Sequence, residues 1–340
     1  MLNSNVLRPY GRLQLQNMIM TQSLGGEGEG EGEKLLISEQ KMKIKFTKMQ
    51  ALGNDYIYVD CFKSQDTEYV QNLSGIDLSD LAKKICHRNF GVGSDGLILI
   101  AAGKVYKFRM IFYNPDGSEA EMCGNGIRCF ARYLYDHSLS KKKVEKIETK
   151  AGVIKTEIIK TGVVRQAHHI KVFLIKADIG KPILERKKIP MKGRGNLYIN
   201  QELKLDGKKV KINSLSLGNP HTVIFVDEFG KDWKTIGAQV ENHPIFPKRT
   251  NVEFVKILSP RNIRLKIWER GVGETQASGT GACAATVAGV LNNKLERKLK
   301  AEFDHGELQI EWNAVNDHLY MIGPAVETFS GVFEYESSPK

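Results

Sequence analysis

Two short stretches decide how this chain is read: CGNGIRCFARYL, residues 123–134, and SGTGACAATVAGVL, residues 278–291. Each opens with a small polar residue and two spaced glycines, Cys123-Gly124-Asn125-Gly126 in one and Ser278-Gly279-Thr280-Gly281 in the other. Each then runs on into helix-like sequence. A helix that starts this way presents backbone N–H groups with no intrahelical partner, which is an anion site by construction. A strand-like run ends nine residues before each opening, at Asn114 and at Glu269. A third landmark, Leu52-Gly53-Asn54, recurs as Leu217-Gly218-Asn219. Three matched landmarks in the same order imply an internal duplication of one strand–loop–helix design.

The bulk properties bound the class. At 340 residues and 41% hydrophobic content, the chain suits two globular domains of ordinary size. It has no run of about 18 apolar residues and no charged-then-apolar leader pattern. That argues against membrane insertion and secretion and makes the cytoplasm the expected compartment. Five cysteines at irregular spacing suggest reduced thiols, not a disulfide framework or a CxxC zinc site. The net charge of +11 comes mostly from lysines scattered through KKKVEK, ERKKIPMKGR and NNKLERKLK, without interleaved aromatics. This pattern reads as solvated surface and not as a nucleic-acid site, although its field favours an acidic small substrate.

Residues 1–41 include GGEGEGEGE, cannot bury a core, and are expected to be disordered. The first strand is expected at Met42, in MKIKFTKM. Further strands are expected in GLILI, FRMIFYN, VIKTEII, IKVFLIKADIG, HTVIFV, NVEFVKIL, IRLKIWE and LQIEWN. Helices are expected over Leu78–His87, over Cys123–His137 with Ile127, Phe130, Ala131 and Leu134 on one face, and over roughly Thr280–Lys294.

If the two copies face each other, both helix N-termini converge on one cleft and suit a carboxylate. One brings Cys123, whose thiolate a helix N-terminus favours, making it a candidate base or nucleophile. The other brings Ser278, which also reads as an ordinary N-cap. Two opposed acid–base groups are what a racemase needs, because one face of the carbon loses a proton while the other gains one.

The segments MQALGNDYIYVD, RNFGVGSDG, YNPDGSEAEMCGNGIRCFARYL, LGNPHTVIFV, HPIFPKRTNVEFV and WERGVGETQASGTGACAA closely resemble the diaminopimelate epimerase family, in order, from about Met42 to the C-terminus. The resemblance implies an α/β (α+β) fold of two pseudo-symmetric domains, each a mixed sheet or barrel wrapped around a central helix, with the active site between them. The expected domains are 42–160 with about 324–340, and 161–323. The resemblance further implies a homodimer and a cofactor-independent epimerase that inverts one α-carbon of LL-diaminopimelate to the meso form, with no metal. Carried over by position, Cys123 matches one catalytic cysteine. Gly124, Asn125, Gly279 and Thr280 match the loops that hold the reacting carboxylate. His221 and Glu269 match polar groups near the reacting amino group. Asn54, Asn114, Asn219, Asn251 and Arg270 match the residues that grip the substrate, with Arg270 facing the distal carboxylate as a bidentate donor.

The family's second catalytic cysteine falls where this chain has Ser278. A hydroxyl is far less acidic than a thiol, so the two-thiol mechanism does not transfer intact. Ser278 relays a proton with help from His221, Glu269 or water; or Cys283 substitutes; or Cys123 is the sole base, as in relatives of the proline racemase type. Cys283 lies about 140° around the helix and roughly 7.5 Å along it, which points it away from the loop. Proline-type substrates lack the distal carboxylate that Arg270 and the asparagines would grip. A non-catalytic amino-acid binder would keep those residues but has no need of Cys123. A pyridoxal enzyme needs a Schiff-base lysine in a phosphate cup. A metal-dependent lyase needs clustered ligands. Neither pattern is present: the eight histidines are scattered, and His168-His169 reads as surface.

Overall fold

The strand-forming runs pair in one scheme that the chain uses twice. The computed structural model describes residues 41–62, 73, 75–160 and 173–337. The first copy runs β1 (Lys41–Ala51), β2 (Asn54–Asp60), α1 (Leu78–Cys86), β3 (Leu97–Ala102), β4 (Phe108–Tyr113), β5 (Glu119–Ala120), α2 (Gly124–Asp136), β6 (Val144–Thr149), β7 (Gly152–Lys160) and β8 (Phe173–Gly180). A 3-10 turn at Arg186–Lys188 and β9 (Tyr198–Leu205) follow. The second copy runs β10 (Lys208–Ser216), β11 (Pro220–Phe225), α3 (Trp233–Glu241), β12 (Asn251–Ser259), β13 (Asn262–Glu269), β14 (Gly273–Thr275), α4 (Gly279–Leu291), β15 (Lys298–Phe303), β16 (Gly306–Trp312) and β17 (Leu319–Pro324), before the last strand, β18 (Val326–Glu336).

The hydrogen-bonded ladders repeat strand for strand. In the first copy β1 is antiparallel to β2, β2 parallel to β3, β3 antiparallel to β4, β4 antiparallel to β5 and parallel to β6, and β6, β7 and β8 are successively antiparallel. The series from β10 to β17 reproduces every one of these relations. The copies meet where β8 pairs antiparallel with β17. β9 flanks β10, and the strand that flanks β1 in the same way is β18, from the end of the chain.

Each copy encloses a helix. α2 packs on β1, β7 and β8, and α4 packs on β10, β11, β12 and β16. Ile127, Phe130, Ala131 and Leu134 of α2 are all buried, as their spacing predicts. α4 is buried on every side from Gly279 to Gly289, which explains why its sequence is apolar all round. Both helices contribute to one hydrophobic cluster. Two smaller clusters lie under α1, around Leu81 and Ile85, and under α3, around Trp233 and Val240.

The expected strands and helices are present, with ends differing by a few residues. Lys41, assigned above to the tail, begins β1. The remaining tail residues 1–40, the pair His168-His169, and residues 170–172 of the run IKVFLIKADIG lie outside the described residues. α3 was not foreseen; its nine residues offer only Trp233, Gly237, Val240 and Glu241 as a buried face. Among the described residues no helix is long and apolar enough to cross a membrane. All five cysteines are free thiols.

Candidate active site

The repeat brings its landmarks to one place. The two Leu-Gly-Asn turns place their glycines at φ 89° (Gly53) and 96° (Gly218), a region that side chains with a Cβ avoid. Asn54 and Asn219 thereby enter the same cleft, of about 500 Å³, from the two copies. The N-termini of α2 and α4 meet at its floor. A Cβ added to Gly124 would lie 3.5 Å from the Cα of Gly279, so the two helix starts are in van der Waals contact, and a Cβ on Gly279 would fall 2.5 Å from Met321 Sδ, which reserves that position for glycine.

Cys123 and Ser278 are the N-caps of these helices, in the same conformation: φ −132° and ψ 121° for Cys123, φ −131° and ψ 118° for Ser278. The Cys123 sulfur accepts from the N–H of Gly126 at 3.4 Å, and Ser278 Oγ accepts from the N–H of Gly281 at 3.1 Å. Ser278 is therefore a cap and a cleft residue at once. The first N–H groups of each helix, at Gly124, Asn125, Gly279 and Thr280, have no intrahelical acceptor and belong to residues that line the cleft.

Of the thirteen residues singled out from the sequence, all but His221 line this cleft. His221 is fully buried behind it. Its Nδ1 lies 2.7 Å from Oε1 of the equally buried Glu253, and its Nε2 lies 3.0 Å from Asn219 Oδ1. Its hydrogen-bond link to the cleft lining is Asn219. Asn54 and Asn125 both donate to the carbonyl of Ala277, at 2.9 and 3.2 Å, tying the first copy to the loop that carries Ser278. Asn54 Oδ1 is buried without a hydrogen-bond partner. Asn114 donates to Ser118 Oγ, and Asn251 Oδ1 accepts from the backbone N–H of Arg270. One guanidinium nitrogen of Arg270 is held by the Lys248 carbonyl at 3.2 Å.

The electrostatics differ across the cleft. Burial pushes the Cys123 thiol up, against the opposing pulls of the Tyr56 hydroxyl and the Gly126 N–H. The thiolate-favouring influence of the helix terminus, expected from sequence, is outweighed by this desolvation. On the other side burial pushes Glu269 up to about 7, a shift reduced by a hydrogen bond with Ser278 and by His221. Cys283 is fully buried and absent from the cleft lining; burial pushes its thiol up to about 12.

Sequence reading missed Tyr56, whose hydroxyl lies 3.0 Å from the Cys123 sulfur, and Asp95, a half-buried carboxyl of the cleft held by Arg88. The repeat contained the signal for Tyr56, which follows Asn54 by two residues as His221 follows Asn219.

The mixed α/β fold is shared with solved structures named as a racemase and an epimerase. A hydroxyproline epimerase from Agrobacterium vitis matches with a TM-score of 0.62 at 11% identity, over 88% of this chain and 95% of that one. A probable proline racemase from Agrobacterium radiobacter matches with a TM-score of 0.60 at 13% identity, over 85% and 92%. The particular family is narrower. Residues 46–170 and 214–328 match the family described as Diaminopimelate epimerase. The chain is 46% identical over 289 residues to the diaminopimelate epimerase of Moorella thermoacetica, covering 85% of this chain and 98% of that one. It is likewise 46% identical over 293 residues to that of Pelotomaculum thermopropionicum, covering 86% and 99%. The chain belongs to the diaminopimelate epimerase family.

Proposed function

We propose that this protein epimerises diaminopimelate, interconverting the LL and meso forms for lysine synthesis by removing and returning one α-proton. The observation that carries this reading is the pair of opposed caps, Cys123 with Tyr56 on one side and Ser278 with Glu269 on the other, above two helix N-termini. The α-carboxylate binds the amides of Gly124, Asn125, Gly279 and Thr280, which stabilise the enediolate charge as the C–H bond breaks. In one direction the Cys123 thiolate takes the proton, and the electron pair moves onto the carboxylate. A proton from Glu269, passed through the Ser278 hydroxyl, then returns to the opposite face, leaving Cys123 protonated and Glu269 ionised. The reverse direction exchanges these roles. No oxidant, reductant or cofactor is required for the balance.

Asn54 Oδ1, buried and unpartnered, suits an ammonium donor, while Arg270 and Asn251 suit the distal carboxylate. His221 acts through Asn219. The two domains proposed are 42–160 with about 324–340, and 161–323; the pairing of β18 with β1 supports the first. By its resemblance the protein is a cytoplasmic homodimer, which sedimentation of the purified chain tests.

The experiment is to incubate reduced protein with LL-diaminopimelate in deuterium oxide, without added cofactor, and to follow meso product and α-deuterium by NMR. Meso product carrying deuterium supports the two-sided mechanism. Ser278 motivates a second reading, in which Cys123 is the only base; deuterium entering without inversion would favour it. Absence of both signals would overturn the epimerase reading.

A further inference from the structure

The proton-transfer scheme leaves one large buried charge unused. Arg128, in the second turn of α2, is 0% exposed. Its Nη1 donates to the Gly124 carbonyl and Met321 Sδ, each at 3.2 Å, its Nη2 to Asn125 Oδ1 at 2.8 Å, and its Nε to the Pro324 carbonyl at 3.5 Å. Every one of these acceptors is neutral. Among the described residues no carboxylate forms an ion pair with it, although a buried cation ordinarily has one.

Its surroundings have the wrong sign. Two of its bonds reach Gly124 and Asn125, the start of α2, and a Cβ added to Gly279 would lie 3.3 Å from Nη1, so the guanidinium also abuts the start of α4. Each helix N-terminus carries roughly half a positive charge. Guanidinium does not shed its proton in proteins. Three positive groups therefore converge beneath one cleft with no carboxylate ion-paired to the guanidinium among the described residues. The repeat carries this charge once: the position equivalent to Arg128, five residues beyond the Ser278 cap, is Cys283.

We propose that Arg128 is a positioning residue whose counter-ion is the reacting substrate carboxylate. It holds the Gly124–Asn125 loop by its fork and makes the cleft floor electropositive, stabilising first the bound carboxylate and then the larger negative charge of the enediolate. The same charge favours the thiolate of Cys123, whose other titratable neighbours are the Tyr56 and Tyr58 hydroxyls, the Cys129 thiol and the Glu269 carboxyl. This inference rests on the function proposed above, but its decisive readout is taken in the free protein and needs no turnover.

The test compares wild type with Arg128→Lys, which keeps the charge, and Arg128→Gln, which keeps hydrogen bonding without charge. The rate of Cys123 alkylation by iodoacetamide is followed against pH by mass spectrometry of the Cys123 peptide. The midpoint is expected to rise by about one pH unit or more in Arg128→Gln and to stay within a few tenths of wild type in Arg128→Lys. In wild type, acetate at constant ionic strength is expected to slow Cys123 alkylation relative to chloride. The proposal is overturned if both variants titrate as wild type, if the lysine variant is as shifted as the glutamine variant, or if acetate leaves wild-type alkylation unchanged. Failure of wild type to epimerise diaminopimelate would not alter these readouts and would count against the assigned reaction alone.

Discussion

Asn114 and Glu269 occupy one position of the repeat on opposite sides of the cleft, each nine residues ahead of its helix cap. Only one of them can carry a proton. The amide stands with the thiol, and the carboxyl stands with the hydroxyl. The side that carries the hydroxyl thus has a titratable group, poised near neutrality by burial and drawn down somewhat by the neighbouring Ser278.

Replacing Ser278 probes that side. Ser278→Ala removes the cap acceptor for the Gly281 N–H and is expected to cost about 0.5–2 kcal/mol of stability, read by denaturant unfolding. It is also expected to abolish inversion while α-deuterium exchange persists. Ser278→Cys keeps the cap geometry already adopted by Cys123 and is expected to raise kcat by tenfold or more; an unchanged kcat would show that the hydroxyl does not limit turnover.

Cys123→Ala is expected to lower both inversion and deuterium exchange by about 10²–10⁴-fold, the usual worth of a positioned acid–base group. Circular dichroism should be unaltered. Persistent exchange in this variant would move the first proton transfer to another residue.

Glu269 couples stability to pH. Its carboxyl ionises at about 7 in the folded protein, against 4.5 for an unburied glutamate. The unfolded chain therefore releases its proton first as pH rises, and this group destabilises the fold progressively between about pH 4.5 and 7, with no further change above. Glu269→Gln removes the effect. Relative to wild type, the variant is expected to gain up to about 3 kcal/mol between pH 4.5 and 8, measured by urea unfolding at both values. A pH-independent difference would contradict the elevated ionisation.

Arg270→Lys keeps the charge but loses the planar fork. If Arg270 grips the distal carboxylate equally in ground and transition states, KM for diaminopimelate should rise about tenfold with kcat within twofold of wild type. A fall in kcat alone would place Arg270 at the reacting carbon.

The repeated landmarks make most of this legible in the sequence. Three short matches located both caps, both Leu-Gly-Asn turns and the strand ends at Asn114 and Glu269, because each performs a backbone task that few residue types fulfil. What the sequence hid was identity at positions where the copies diverge. Tyr56 and His221 occupy the same place in the repeat, yet Tyr56 touches a cap sulfur while His221 turns to Glu253 and Asn219. Arg128 draws no attention in the sequence, because its isolation from carboxylates is a matter of packing among the described residues. α3 escaped because its buried face is too short to give a periodic signal.

The pairing of β18 with β1, from Lys41 opposite Glu336 to Gln50 opposite Val326, has a consequence for synthesis. The second copy holds all of its strands in one continuous stretch and can close as soon as it leaves the ribosome. The first copy emerges earlier but with the edge of β1 bare, and only the last strand to be translated can cover it. The half made first is therefore the half finished last, and a ribosome that stops short of Val326 releases a chain with an open edge on β1, the strand that pairs with β2 and its Tyr56.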